Sequence, residues 1–297
     1  MIKFVNAKIN IGLNVVAKRE DGYHDLETVF YPVGLECGMP HQPEPFDDVL
    51  EVTYDRASEM SGCRFQFMGR QIDCHPKKNL VVKAASNFLG LYNQDFDDLA
   101  SYGMFGITLD KHLPDGAGLG GGSADAAFTL QMLNEVTGNR YDRATLLELA
   151  VKLGADCPFF LYNTPCFASG IGENLQEIDL DLKGYTILIV KPEVSISTAQ
   201  AFAGISPKSP DFDLRFLPFL PIEDWKGKVV NDFETSVFAL HPELAAIKQS
   251  LYDSGALYAS MSGSGSAIYG IYASPQAAIE ERERLESTYQ GIWLFGL

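Results

Sequence analysis

The stretch from Leu113 to Ala127 reads Leu-Pro-Asp-Gly-Ala-Gly-Leu-Gly-Gly-Gly-Ser-Ala-Asp-Ala-Ala, with Gly116, Gly118, Gly120, Gly121 and Gly122 falling within seven residues. Glycine reaches backbone angles closed to other residues and lets a ligand approach peptide N–H groups closely. An apolar, alanine-rich segment with helical spacing follows at once. A helix starting there adds unpaired N–H groups and the positive end of its dipole. Loop and helix together make an anion site, and phosphate is the usual guest. Each glycine costs roughly 0.5–1 kcal/mol relative to Ala, which a plain strand-to-helix connection has no need to bear. Pro114, Asp115, Gly116, Ala117, Gly118, Leu119, Gly120, Gly121, Gly122, Ser123 and Ala124 therefore read as a cradle for the phosphates of a nucleotide.

Three commoner explanations of a glycine loop fail. Gly116, Gly118 and Gly121 satisfy the dinucleotide fingerprint in form, but about 20 residues downstream the chain is still helix and turn, where that motif needs an acidic strand end. No Lys follows the glycines, so the loop is not a GxxxxGK[ST] phosphate loop. The HRD and DFG segments of protein kinases are absent from the chain.

Other residues with chemical potential carry plain readings when taken singly. Lys8 reads as a solvated strand residue. Asp156 reads as an N-cap or turn residue ahead of Pro158. Tyr23 and His24 sit on an Asp21-Gly22 hairpin, and Phe202 lies on an apolar, helical stretch where a core role competes with any other. The five cysteines (Cys37, Cys63, Cys74, Cys157, Cys166) form no CxxC pair and are odd in number, which predicts reduced thiols. The five histidines are scattered without an HExxH, so nothing predicts a dedicated transition-metal site.

The elements that must position these groups are those of an α+β protein. Two domains suit 297 residues, with a boundary near residues 163–168. Apolar runs at Ile2–Val5 and Ile9–Val16 and a β-rich run through Leu35 flank the hairpin, and a proline-rich loop follows at 39–46. The spacing predicts strands at 49–54, 63–67 and 104–109 and a helix over 79–91. It predicts a second helix from an N-cap at Ser123 to about Glu135, with Gly138 just beyond, and a third over 142–153. Further on it predicts a strand at 185–190, a helix at 241–254, strands at 257–261 and 267–272 around Ser262-Gly263-Ser264-Gly265-Ser266, and a helix at 277–287. The net charge of −16 argues against a nucleic-acid surface, because phosphate backbones demand basic patches. The absence of a leader sequence or a bilayer-length apolar run sets the expectation of a cytoplasmic protein without a membrane partner.

Pro114 to Ala127 resembles the phosphate loop of the GHMP kinases, the galacto-, homoserine, mevalonate and phosphomevalonate kinases. Its longer form GLGGGSxDAA looks like the branch that acts on 4-diphosphocytidyl-2-C-methyl-D-erythritol. Ala7-Lys8-Ile9-Asn10, Asp21-Gly22-Tyr23-His24, Gly154 to Phe160 and Asn231-Asp232-Phe233-Glu234 are similar to stretches of that branch, and Met261 to Ser266 to the third glycine motif of the superfamily. The resemblance implies an N-terminal ribosomal-protein-S5-like, ATP-binding domain over 1–165 and a C-terminal ferredoxin-like, substrate-binding domain over 166–297. It implies transfer of the γ-phosphate of ATP, with Mg2+, to the 2-hydroxyl of the cytidyl-diphosphate substrate, in non-mevalonate isoprenoid synthesis.

It also implies roles. Lys8 and Asp156 would be the catalytic pair, Tyr23 and Phe202 would sandwich the cytosine, His24 would pair with its edge, and Asn10 would lie near the substrate. A carboxylate near its reference pKa of about 3.9 is a weak base for an alcohol, and a neighbouring Lys⁺ lowers it further. The expectation is thus that Asp156 orients the hydroxyl and takes its proton late, while Lys8 contributes electrostatically. Three residues depart from the branch pattern: Ala124 stands where a second serine is usual, and Asp115 and Cys157 replace more typical apolar residues. Other GHMP enzymes, such as homoserine kinase and diphosphomevalonate decarboxylase, and a non-catalytic nucleotide-binding protein on the same fold are the rival readings. No pattern in the sequence names magnesium ligands or speaks to oligomeric state.

Overall fold

The structure is a computed structural model that describes residues 1–34, 46–72, 74–94 and 102–297. Cys37, the proline-rich loop up to Pro45 and most of the expected 92–101 connection lie outside the described residues. In chain order the elements are β1 (Ile2–Val5), β2 (Ala7–Lys18), β3 (His24–Val33), β4 (Asp48–Asp55), β5 (Gly62–Gly69), α1 (Leu80–Asn93), β6 (Met104–Lys111), α2 (Gly121–Val136), α3 (Arg143–Val151) and α4 (Cys157–Tyr162). They continue with β7 (Cys166–Ser169), β8 (Asn174–Glu177), β9 (Thr186–Lys191), α5 (Thr198–Phe202), α6 (Phe233–Leu240), α7 (Pro242–Asp253), β10 (Tyr258–Met261), β11 (Ile268–Tyr272), α8 (Pro275–Glu286) and β12 (Gly291–Gly296).

Two compact units share the chain. One comprises Met1–Ala7, Pro45–Asp115 and Gly120–Asn163, and the other Lys8–Glu44, Gly116–Leu119 and Thr164–Leu297. The first unit is built on a sheet ordered β1-β4-β6-β5, in which β5 runs parallel to β6 and the other pairs are antiparallel. Strand β6 alternates strictly, so Phe105, Ile107, Leu109 and Lys111 share its buried face. The inward position that ends this apolar row is therefore a lysine. Helix α1 turns Val81, Ala84, Ala85 and Phe88 inward, and the Asn79 side chain accepts a bond from Val81 N at 2.8 Å, capping the helix. Asp142 caps α3 in the same way, through Thr145 N at 2.9 Å.

The second unit holds two sheets, ordered β2-β3-β7-β8 and β10-β11-β9-β12. The latter sheet is antiparallel throughout. Its strands are joined as β9–helices–β10–β11–α8–β12, the β-α-β-β-α-β order of a ferredoxin-like unit. Leu188, Val190, Ile268 and Leu294 of this sheet pack with Leu244, Ile247 and Leu251 of α7 and with Ala278 and Leu285 of α8. Burying such side chains fully contributes roughly 1.5–3 kcal/mol each.

Most expected elements fall within a residue or two of their observed ends. One boundary needs correction. Helix α2 starts at Gly121 with Gly120 in the cap position at φ +74, not at an Ser123 cap. Gly120 adopts the left-handed conformation that turns the loop directly into the helix, which places Ser123 in the first turn. There its hydroxyl pulls the buried Cys157 thiol down, against the larger upward push of burial. The short elements α4, α5, β7, β8 and α6 and the terminal strand β12 carry too few periods to be read from pattern alone.

Candidate active site

Strand β2 supplies the first cluster. Successive side chains alternate along a strand, so Lys8 and Asn10 point to one side. Both are 3% exposed, which overturns the plain reading of Lys8 as solvated. Lys8 Nζ donates to Asn10 Oδ1 at 2.6 Å and to the Gly118 carbonyl at 3.0 Å, and it lies 5.0 Å from the centre of the Phe30 ring. Asn10 Nδ2 donates to Thr28 Oγ1 at 3.0 Å, and Thr28 Oγ1 donates to the Gly12 carbonyl at 2.5 Å. Asn10 N donates to Ser262 Oγ at 3.1 Å, and the Tyr269 hydroxyl donates to Asn10 O at 2.8 Å.

Residues 116–119 of the glycine loop are stitched into the same cluster. Lys8 N donates to Leu119 O at 2.9 Å, Ala267 N to Ala117 O at 3.1 Å, and Ser262 Oγ to Gly118 O at 2.8 Å. Gly118 has φ +76, and a Cβ on it would sit 1.9 Å from the Ser262 carbonyl oxygen, so only glycine fits. Asn231 Nδ2 donates to the carbonyls of Met261 and Gly263 at 2.8 Å each, which fixes the C-terminal glycine motif.

The hairpin residues form a second cluster in this unit. The His24 and Phe202 rings stack with centres 4.5 Å apart and planes at 20°. Phe202 also meets Phe233 edge-on at 4.8 Å. It is half-buried, which suits neither a sealed core nor a plain surface position. Tyr23, beside them in sequence, is 60% exposed.

The rest of the glycine loop, with Asp156, belongs to the other unit. Beneath the N-terminus of α2, Lys111 Nζ bonds Asp48 Oδ2 at 2.5 Å and Asp125 Oδ2 at 2.7 Å, all three side chains being buried. Asp48 Oδ1 also accepts from His112 N at 2.6 Å and Leu113 N at 2.7 Å, at the entry to the loop. A Cβ on Gly121 would come within 3.1 Å of Lys111 Nζ, so the ammonium lies directly under the start of the helix. Burial alone would push the Lys111 ammonium down, but the carboxylates of Asp125 and Asp48 outweigh it and hold it above its ordinary range. Burial pushes the Asp125 carboxyl well up, against the pull of Lys111. Asp156 stands at the N-cap position of α4 but makes no capping bond. The neighbouring Cys157 thiol is pushed up to about 12, chiefly by burial, and is therefore no nucleophile at neutral pH. Pro114 is half-buried and Asp115 exposed at the loop entrance, while Ala124 is sealed inside α2.

Known proteins match nearly the whole chain in sequence and fold. The "GHMP kinases N terminal domain" family model matches residues 79–164 and the "GHMP kinases C terminal" model residues 223–291. A Bacteroides fragilis protein named 4-diphosphocytidyl-2-C-methyl-D-erythritol kinase is 46% identical over 283 residues, covering 95% of this chain and 96% of its own. A Parabacteroides distasonis protein of the same name is 45% identical and covers 93% of each chain. The chain belongs to the GHMP kinase family. A crystal structure of 4-(cytidine 5'-diphospho)-2C-methyl-D-erythritol kinase superposes with a TM-score of 0.79 at 31% identity, over 99% of this chain and 98% of that one. A homoserine kinase from Cytophaga hutchinsonii, at 18% identity and a TM-score of 0.63, shares the fold.

For a GHMP kinase, several structural partners escape a reading of motifs. Thr28, Tyr269 and the Lys111–Asp48–Asp125 triad belong to no glycine or charge pattern. Strand alternation puts Thr28 on the same face of β3 as Leu26 and Phe30, and Lys111 at an inward position of β6. An alternation argument could thus have found Lys111, since a lysine in phase with Phe105, Ile107 and Leu109 demands a buried counter-charge.

Proposed function

We propose that this chain transfers the γ-phosphate of ATP to the 2-hydroxyl of 4-diphosphocytidyl-2-C-methyl-D-erythritol, a step of non-mevalonate isoprenoid precursor synthesis. The observation that carries this reading is the Lys8 ammonium, buried and bonded to the carbonyl of Gly118 in the glycine loop itself. A cation fastened to a phosphate cradle supplies the charge that a strongly acidic protein otherwise lacks. The names of relatives at 45–46% identity point to the same reaction.

Phosphoryl transfer leaves the protein mainly positioning and charge neutralisation to perform. In this reading the loop residues from Pro114 to Ala124 and the α2 N-terminus cradle the phosphates of ATP. The substrate oxygen bonds the γ-phosphorus, the bond to the leaving ADP oxygen breaks, and the hydroxyl proton passes late to Asp156. Lys8 stabilises the charge developing on that oxygen, and Asn10 holds Lys8 beside the substrate. Tyr23 and Phe202 sandwich the cytosine, with His24 at its edge; aromatic stacking of this kind contributes about 1–3 kcal/mol per base.

In this reading residues 1–165 are the ATP-binding part of the chain and 166–297 the substrate-binding part, as the separate family-model matches on either side of residue 165 support, although Lys8–Glu44 and Gly116–Leu119 belong to the same compact unit as Thr164–Leu297. Among the described residues no group of three or more His, Cys, Asp or Glu side chains could hold a metal ion. A magnesium ion therefore fits best as one carried by the phosphates of ATP and water, neutralising their charge. No helix among the described residues is long and apolar enough to cross a membrane. That fits a cytoplasmic enzyme of small molecules, and the net charge of −16 disfavours nucleic acid.

The test is ADP release from Mg-ATP with three acceptors in parallel: the cytidyl substrate, homoserine and diphosphomevalonate. Turnover confined to the first is expected. Turnover with either of the others alone, or with none, would overturn the assignment.

A further inference from the structure

Gly12, Thr28, Asn10 and Lys8 form one chain of hydrogen bonds whose direction is fixed at both ends. A backbone carbonyl only accepts and an ammonium only donates. The Gly12 carbonyl takes the single Thr28 hydroxyl proton at 2.5 Å, which leaves Thr28 Oγ1 as an acceptor toward Asn10. Its neighbour at 3.0 Å must then be the Asn10 NH2 group. The amide oxygen of Asn10 is thereby turned to Lys8 Nζ, 2.6 Å away. All the side chains in this chain are buried, with Thr28 2% and Asn10 3% exposed, so water has little part in correcting a wrong amide orientation.

We propose that Thr28 is a positioning residue, which sets the rotamer of the Asn10 amide and through it holds the Lys8 ammonium in place for phosphoryl transfer. This rests on the reading of Lys8 as the catalytic cation. Without the Thr28 hydroxyl, the Asn10 NH2 group loses its acceptor, and the orientation that offers the amide oxygen to Lys8 and, at 3.5 Å, to Ser262 Oγ loses its anchor on that side. A flipped amide would present N–H groups to an ammonium, and Lys8 would swing away from it. Thr28 touches neither substrate nor phosphate in this scheme; it acts only through Asn10.

The experiment compares kcat and KM of Thr28→Val, Thr28→Ser, Asn10→Ala and the Thr28→Val/Asn10→Ala double variant, each with its melting temperature measured. Thr28→Val is expected to lower kcat about tenfold while KM for ATP and for the cytidyl substrate changes less than about threefold. Thr28→Ser should restore kcat, since it keeps the hydroxyl. Adding Thr28→Val to Asn10→Ala should lower kcat no further. Thr28→Ala replaces the valine if that variant does not fold. The proposal is overturned if Thr28→Val keeps wild-type kcat while Asn10→Ala is impaired, if serine rescues nothing, or if the two losses simply multiply. Wild-type turnover by both Asn10→Ala and Lys8→Met would instead remove the reading of the Lys8 site, and Thr28's role with it.

Discussion

At the scale of single residues, the cluster around Lys8 works by giving its buried polar groups partners whose chemistry fixes the direction of each bond. Lys8 is 3% exposed, and leaving such an ammonium unpaired would cost several kcal/mol. Its bonds to Asn10 Oδ1 and Gly118 O are among the contacts that permit its burial. In the proposed mechanism Asp156 contributes at the reacting hydroxyl alone. Asp156→Asn is thus expected to lower kcat by about two orders of magnitude or more with little change in KM for ATP. Near-normal steady-state turnover in that variant would remove the assigned role. Tyr23 is 60% exposed and supports nothing in the core, so Tyr23→Ala should leave the melting temperature unchanged. It should raise KM for the cytidyl substrate about tenfold or more, as loss of one base-stacking face predicts, and leave KM for ATP alone. An equal loss for both ligands would mean general damage.

At the scale of elements, the glycine loop is held by what lies under and beside it. Gly118 has room for nothing beyond hydrogen, because a Cβ would lie 1.9 Å from the Ser262 carbonyl oxygen. Gly118→Ala must push the loop off the C-terminal glycine motif. The expected result is loss of phosphate binding, read as a rise of at least tenfold in KM for ATP, and destabilisation of about 1–3 kcal/mol in urea titrations. The start of α2 depends on Lys111, which ties β4, the loop entry and the helix through Asp48 and Asp125. Removing one partner of a buried ionic group leaves the other charges uncompensated. Lys111→Ala should therefore cost about 3–5 kcal/mol of unfolding free energy. A loss under 1 kcal/mol in chemical denaturation would show that the triad braces nothing.

At the scale of the whole molecule, buried proton-bearing groups set the alkaline limit of the fold. Burial pushes the thiol of Cys157 from 9.0 up to about 12 and raises the phenols of Tyr258, Tyr269 and Tyr272 above their ordinary range. A raised folded-state pKa contributes stability that is complete below the unfolded value and is lost as pH rises through the folded one. The unfolded chain releases these protons from about pH 9 to 10 upward, while the folded chain keeps them. The melting temperature is expected to be flat between pH 7 and about 8.5 and to fall steadily toward pH 12. A flat profile through that window would show that these groups ionise without unfolding the chain.

The sequence by itself determined the parts whose physics is local. Glycine spacing marked the phosphate loop, alternation and helical stripes marked β4, β6, α1 and α7, and Asp142 and Gly138 marked where helices begin and end. Those signals depend on neighbours a few residues apart, so they survive without a tertiary context. The candidate site was legible as residue types at known spacings, but not as an arrangement. Lys8, Gly118 and Ser262 lie more than 100 residues from one another along the chain, and a solvated strand lysine was as good a reading of Lys8 until its burial was seen. The start of α2 at Gly120 was settled by a left-handed backbone angle and a close approach to Lys111, neither of which leaves a periodic trace. Only the tertiary structure decided which polar atoms are buried. Burial is what turns an Asn, a Thr and a carbonyl into a directed chain of hydrogen bonds, since in water each would find another partner.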